Sequence, residues 1–269
     1  MTIRLSQLYI YPVKSMAGIP LEASELDDMG LKYDRRWMLV DSEGRFMTQR
    51  THPQMVLIRP TILDGRLLLT GSKGESVEVP GIEHAEERMT VQVWKDQVKA
   101  HRLSSAIDAW LSREIGDPCH LVFIADDEIR QCDPAYAKEG DRTGFSDGFP
   151  LLLISEASLD LLNEKLDAPV DMIRFRPNLV VAGCHAHAED NWREISIGDI
   201  RFRIVKPCSR CPIPTVNPET GRKEGPEPLK TLMSYRRRDN KVWFGQNMVH
   251  EGKGLLQTSQ QVEILATGS

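Results

Sequence analysis

Cysteine is scarce in this chain. Five residues in 269, at positions 119, 132, 184, 208 and 211, are odd in number and unevenly spaced. That excludes the disulfide framework of a small secreted domain and predicts free thiols in a reducing compartment. No apolar run approaches the roughly 20 residues that a bilayer-crossing helix needs. The opening residues Met1 to Ser6 lack the charged-then-apolar pattern of a signal peptide. The expectation is a cytoplasmic protein without a membrane partner. Positive charge is not in excess either: 34 Lys and Arg face 39 Asp and Glu, for a net charge of -5. A dedicated nucleic-acid binder needs a basic face, so nucleic acid is not an expected partner. A local basic pocket stays open, because Arg35, Arg36, Arg174, Arg176, Arg210 and Arg236 to Arg238 are enough to hold a small anion.

The first hundred residues read as β-rich. Alternation at Ile3, Leu5, Leu8 and Ile10 predicts a strand that stops at Pro12. Three hairpins follow. Arg36–Val40 and Arg45–Gln49 flank a turn ending in Gly44. Met55–Leu63 and Arg66–Thr70 flank Asp64-Gly65, and Thr90–Trp94 and Gln97–Leu103 flank Lys95-Asp96. A helix begins at Ser105, where Ser105 and Asp108 have the spacing of a capping box, and Gly116 and Pro118 stop it. Residues Asp126–Gly144 are polar and aperiodic, which predicts a long loop and a domain boundary.

The second half is mixed. A helix is expected from Ser155 to Leu166, a short apolar strand over Asn178–Ala182, and a hairpin across Gly198-Asp199. A short helix over Leu229–Arg237 and strands over Val242–Val249 and Val262–Leu265 close the chain. Many short strands with few helices predict a mainly β, α+β protein built of barrels rather than a doubly wound sheet.

Chemistry concentrates at Cys208-Ser209-Arg210-Cys211. As half of a zinc site this pair needs another ligand pair, and only His185 and His187 lie close together. As a thioredoxin-type dithiol it needs a following helix, which Pro212 and Pro214 disfavour. As two buried structural cysteines it leaves Arg210 without a partner. A single thiolate on a soft metal, with Arg210 lowering its pKa and clamping an anion, satisfies more of these constraints. Lys14 and Ser15 follow the first strand and are suited to gripping phosphate. In Arg35-Arg36 strand alternation would send one guanidinium inward and the other outward, whereas Arg174 and Arg176 would share one face of an extended segment.

Six motifs in chain order then match a family. They are Tyr-Pro-Val-Lys-Ser at Tyr11–Ser15, Asp-Arg-Arg-Trp at Asp34–Trp37 and Phe-Ser-Asp-Gly-Phe-Pro at Phe145–Pro150. Arg-Phe-Arg-Pro-Asn at Arg174–Asn178, the run Cys208–Gly221, and Phe-Gly-Gln-Asn at Phe244–Asn247 complete the set. The chain resembles the MOSC-domain proteins with an N-terminal β-barrel partner domain. These include the mitochondrial amidoxime-reducing components and the bacterial YcbX-type proteins.

The resemblance implies an N-terminal β-barrel domain over residues 1–120, a MOSC domain over residues 121–269, and a molybdenum cofactor between them. It implies Cys211, not Cys208, as the molybdenum ligand. Cofactor contacts are implied at Lys14, Ser15, Arg35, Ser146, Asp147, Arg176, Asn178, Ser209, Arg210, Gln246 and Asn247, and Asp147 is also the candidate proton donor. The implied activity is reduction of small N-hydroxylated substrates such as amidoximes and hydroxylamino bases. The alternative is a cofactor carrier or sulfur-transfer protein. Pyridoxal phosphate binding is a further property associated with the family. The chain shows no Cys-x4-Cys-x2-Cys spacing, so no iron–sulfur cluster is expected in it. Electrons are expected from a separate ferredoxin, flavodoxin or cytochrome.

Overall fold

The computed structural model describes residues 2–268. Its largest sheet is built around two strands that are apolar on both faces, Leu151–Ser155 and Leu179–Ala182, paired in parallel. Side chains alternate along a strand. Leu151, Leu153, Leu179 and Val181 therefore enter one core, while Leu152, Ile154 and Val180 enter a second on the opposite face. The second core is covered by helix α2 (Glu156–Asn163) and helix α3 (Leu229–Arg236), which contribute Leu162 and Leu232.

From this pair the sheet runs outward through Lys241–Glu251, Ile200–Ser209 and Trp192–Ile197 to Val262–Thr267. In the other direction it continues through Arg4–Ile10 to Ile19–Leu21. A bridge between Arg4 and Gln261, with the Leu5 amide on Gln260 O at 2.9 Å and the Val262 amide on Ile3 O at 2.9 Å, joins the two sides. The sheet closes on itself as a barrel. Inside it Leu5, Leu8, Ile195, Ile197, Phe202 and Met248 are almost fully buried, and each such side chain contributes about 1.5–3 kcal/mol.

The first strand of the chain is thus an integral stave of the barrel formed by the second half. The division at residue 120 is crossed there, and again where Gly254–Gln257 pairs with Ala23–Asp27. Most of the N-terminal half forms a separate layer. One sheet orders Trp37–Val40, His120–Phe123, Asp96–Arg102 and Glu87–Val93, and a smaller one joins Arg59–Leu63, Arg66–Thr70 and Ser76–Glu78. Helix α1 (Ser105–Ile115) packs Ile107, Trp110 and Leu111 against Leu39, Leu69 and Leu121.

Several local expectations are corrected. Ser104, not Ser105, precedes the first turn of α1, and its side chain makes no cap bond. Asp108 turns inward instead. It accepts from the Leu121 amide at 2.7 Å and from Arg102 Nε at 2.7 Å, and lies 2.8 Å from His120 Nδ1. Three polar partners from neighbouring strands outcompete one local amide. Residues Pro53–Leu57 form a 3-10 turn, and the strand begins only at Arg59. Arg45–Gln49 forms no regular strand. The third hairpin turns at Trp94-Lys95, because Asp96 already pairs with Val93.

Gly245 interrupts Lys241–Glu251 at a φ of 81°, where a side chain would meet Leu153 O at 2.8 Å. Only glycine accepts both the dihedral and the close backbone.

Candidate functional site

Six chain segments meet where the two layers face each other. The first strand ends at Ile10, and a tight path through Ser15 (φ 68°) delivers Lys14. Its amide bonds Trp37 O at 2.8 Å. Arg35 also sits at positive φ, 48°, held by its amide to Tyr11 O at 2.9 Å. Residues Met172–Phe175 make a 3-10 turn that ends in Arg176 at φ 56°. Cys208 and Ser209 end the strand Ile200–Ser209, and Cys211 lies just beyond it.

The remaining segments are Ser146-Asp147 and Asn247. Together they line a cavity of about 120 Å³. Of the residues expected at the site, Lys14, Ser15, Arg35, Ser146, Asp147, Arg176, Asn178, Ser209, Arg210, Cys211 and Asn247 are all in its wall. Gln246 is not. It points to the opposite face of its strand, where Nε2 donates to Asp190 Oδ1 at 2.6 Å. Three larger cavities, of about 470, 490 and 440 Å³, lie elsewhere and contain neither of the paired cysteines.

The arginines reach the cavity for reasons different from the expected alternation. Arg35 points in because its backbone is left-handed before the strand begins at Trp37. Arg36 points away to Ile124 O at 2.8 Å and Asp126 at 2.7 Å. Arg174 and Arg176 do not share a face, because the segment is a turn rather than extended. Arg174 donates weakly toward Val216 O, 3.3 Å away, whereas Arg176 donates to Met16 O at 2.6 Å.

The buried ring of Tyr11, which in the sequence only opens a motif, packs against two guanidinium groups. Arg35 is 4.3 Å and Arg176 4.1 Å from its centroid. The aromatic faces offset part of the repulsion between the two cations. Burial, reinforced by Arg35, pushes the Arg176 pKa down to about 10, so it remains charged at neutral pH.

Lys14 is buried, which lowers its pKa to about 8 against the opposing pull of Asp147. Its ammonium donates to Phe145 O at 2.8 Å and to Asp147 at 2.5 Å. Asp147 is half-exposed and also meets Arg50 at 3.1 Å and the Trp94 indole at 3.3 Å. Desolvation pushes its carboxyl up, but Lys14 and Arg50 outweigh that and hold it well below the usual carboxylate range. A carboxylate in that state accepts hydrogen bonds at neutral pH. The two cations that hold it oppose the role of proton donor expected for Asp147.

The relation of Arg210 to the cysteines is also corrected. Its Nη1 lies 3.2 Å from Cys208 Sγ and Nη2 donates to Phe175 O at 2.7 Å. Burial raises the Cys208 thiol pKa in spite of that arginine. The guanidinium is therefore occupied by Cys208, not by Cys211. No α-helix follows the pair; Ile213–Thr215 is a 3-10 turn.

His185 is exposed and His187 sits in a left-handed turn at φ 60°, packed on Tyr235 and Phe244. Among the described residues, no group of three side chains suited to hold a metal includes them. Burial, then Arg236, pushes the His187 pKa down to about 4 from an ordinary 6.5. The unfolded chain then binds the extra proton between those values, so stability is lost as pH falls from about 6.5 toward 4. The loss expected is on the order of 1–2 kcal/mol after allowance for partial exposure. Urea denaturation across that range should show it, and His187→Phe should flatten the dependence.

Two buried guanidinium nitrogens, Arg176 Nη2 and Arg210 Nε, have no hydrogen-bond partner. Such donors are costly unless something anionic meets them. By contrast, Asn178 is occupied by Tyr9 O, the Leu152 amide and Arg35. Asn247 donates to Lys206 O at 3.2 Å. These two amides hold the wall in place. Arg130 does the same for the Phe145 segment: Nη1 donates to Gly144 O at 2.8 Å and Ser146 O at 2.5 Å, and Nε meets Asp96 at 2.9 Å. Its position in a polar, aperiodic stretch left no sequence signal.

The cavity wall thus brings together a thiol and two arginines that each keep a buried, unpartnered nitrogen. Clefts for whole small molecules usually measure about 300–1,000 Å³. This space matches the anionic end of a larger ligand.

Residues 2–118 match the family model for the MOSC N-terminal beta barrel domain, and residues 140–263 match that for the MOSC domain. The chain is similar to mitochondrial amidoxime-reducing component 1 of Xenopus laevis, 32% identical over 280 residues that cover 96% of this chain and 81% of that protein. It is also 33% identical over 264 residues to the molybdenum cofactor sulfurase of Oryza sativa subsp. japonica, covering 90% of this chain and 32% of that protein. Among solved structures, the YUAD protein of Bacillus subtilis superposes with a TM-score of 0.44 at 12% identity, covering 98% of this chain and 95% of that one.

Proposed function

We propose, from the premise that this chain belongs to the family of MOSC-domain proteins with an N-terminal MOSC β-barrel domain, that it is a molybdenum-cofactor-dependent reductase of small N-hydroxylated compounds. The observation that carries this reading is the pair of buried, unpartnered guanidinium nitrogens beside Cys211. They supply what a phosphate-bearing, sulfur-coordinated metal group needs: fixed positive donors and one soft ligand.

In this reading Cys211 holds the metal, and Lys14, Arg176 and Arg210 meet the phosphate and pterin with the hydroxyls of Ser15, Ser146 and Ser209. Arg35, already bonded to Asp34 at 2.7 Å and to Asn178 at 3.0 Å, adds charge and fixes Arg176 O at 3.1 Å. When bound, molybdenum supplies the two-electron chemistry that cleaves an N–O bond. The protein positions the group and neutralises its charge, and protons come from water. Pyridoxal phosphate has no place in this reading, which gives the phosphate-binding groups of the cavity to the molybdenum cofactor.

We assign residues 1–120 to the N-terminal domain and 121–269 to the MOSC domain, with Arg4–Ile10 crossing between them. Electrons would come from a separate ferredoxin, flavodoxin or cytochrome in the cytoplasm. No helix among the described residues is long and apolar enough to cross a membrane.

A second reading, a cofactor carrier or sulfur-transfer protein, is favoured by the similarity to cofactor sulfurases. Elemental analysis of purified protein, followed by benzamidoxime and a chemical reductant, separates the two. Reduction with near-stoichiometric molybdenum is expected; full loading without turnover supports the carrier, and no molybdenum sinks both.

A further inference from the structure

The run Arg236 to Arg238 takes no part in the site described above. It helps to line a separate cavity of about 490 Å³, between α3, the strand Ile200–Ser209 and the strand Lys241–Glu251. That volume lies within the usual range for small-molecule sites. The cavity has a built floor. Gln246 is 2% exposed, and Asp190 is fully engaged: Oδ1 by Gln246 Nε2 and Oδ2 by Arg236 Nη2, each at 2.6 Å.

With that pair neutralised, the wall retains Arg193, Lys206, Arg237 and Arg238. Among the described residues, no ion pair joins the first three to a carboxylate. Arg193 donates to backbone oxygens, Lys206 lies 4.1 Å from the Tyr136 ring centroid, and Arg237 donates to Asn240 Oδ1 at 3.0 Å. Arg238 has Asp239 at 3.8 Å, with both side chains highly exposed, a contact worth little in water. Tyr235 adds a buried hydroxyl without a partner in the same wall.

Four cations gathered around one concavity repel one another, and this occurs in a chain of net charge -5. We infer that this second cavity binds a small polyanion, a phosphorylated or polycarboxylated metabolite, independently of the site at Cys211. The lining carries no nucleophile and no metal-ligand set, so the role is binding and not catalysis. The two cavities are lined by the same two strands, but by different residues. Lys206, Pro207 and Gln246 face this cavity, while Cys208, Ser209 and Asn247 face the other. Pro207 pairs with Gln246 directly between them. A ligand here therefore sits against the backbone that carries the candidate metal thiol.

Isothermal titration calorimetry of the purified chain with pyrophosphate, and separately with citrate, tests this. One molecule per chain is expected in this cavity, besides any that enters the site at Cys211, with affinity that falls as salt is raised. The probe that binds more tightly distinguishes phosphorylated from polycarboxylated ligands. Charge reversal of two wall residues, half-buried Lys206→Glu with exposed Arg237→Glu, should weaken binding about tenfold or more. Arg176→Gln, in the other cavity, should leave it unchanged. Binding of neither probe overturns the inference. So does any result in which the double variant keeps the affinity or the Arg176→Gln chain loses it.

Discussion

Cys211→Ala is expected to purify without molybdenum and to reduce amidoximes at the background rate, while Cys208→Ala keeps both metal and turnover. The two thiols are three residues apart, but the fold treats them differently. Cys208 ends the strand Ile200–Ser209, packs against the core beneath α3, and takes Arg210 Nη1 at 3.2 Å. Burial keeps it protonated. Cys211 lies past the strand in the cavity wall, where Arg176 Nη2 and Arg210 Nε have no protein partner.

Loss of a partner outside the metal's own ligands costs about 10–100-fold in affinity, and loss of the only protein ligand should exceed that. Cys208→Ala deletes one hydrogen bond to a charged group and should lower stability by about 1–2 kcal/mol, with Arg210 left free to turn. Elemental analysis and thermal melts on both variants check this. Equal loss of metal from both would mean a two-thiol site and would sink the single-ligand reading.

Arg130→Met should be among the most destabilising substitutions near the site, at about 3–5 kcal/mol. Arg130 is 4% exposed in its side chain and serves Gly144 O, Ser146 O and Asp96 together. Methionine fills similar volume but leaves two carbonyls without their donor and one carboxylate without its counter-charge. Asp96 keeps some access to water, at 33% side-chain exposure, which places the cost toward the lower end. The same change releases the segment that presents Ser146 and Asp147. Hydrogen exchange should therefore rise at the amides of Thr143, which bonds Arg130 O, and Phe145, which bonds Arg35 O. A variant as stable as the parent, with unchanged exchange there, would show that Arg130 does not hold this segment.

Legibility from sequence followed the range of the interactions. The hairpin at Asp64-Gly65, the stop of α1 at Gly116 and the opening of α2 at Ser155 all stand as expected. Each depends on a dihedral or a hydrogen bond within a few residues. The capping box at Ser105 and Asp108 failed because Asp108 finds partners in another strand. Met55–Leu57 is apolar enough for a strand, yet Pro53 opens a 3-10 turn there. Alternation left open which of Arg35 and Arg36 faces inward; a left-handed backbone, not strand alternation, aims Arg35 at the cavity.

Cys211 and the basic motifs stood out in the linear chain because cysteine is rare, the arginines are clustered and the prolines forbid a helix. Residue types and short-range turns therefore determined the mainly β character, and the six motifs carried the family resemblance that implied the candidate cofactor contacts. Tertiary structure alone decided which of those groups still have something to bind. It placed Arg210 on Cys208, tied Asp147 to Lys14 and Arg50, turned Gln246 into a second basic cavity, and closed the second-half barrel with the chain's first strand. Those outcomes depend on which groups, far apart in sequence, become buried together. Desolvation and competition for hydrogen-bond partners exist only once the chain has packed.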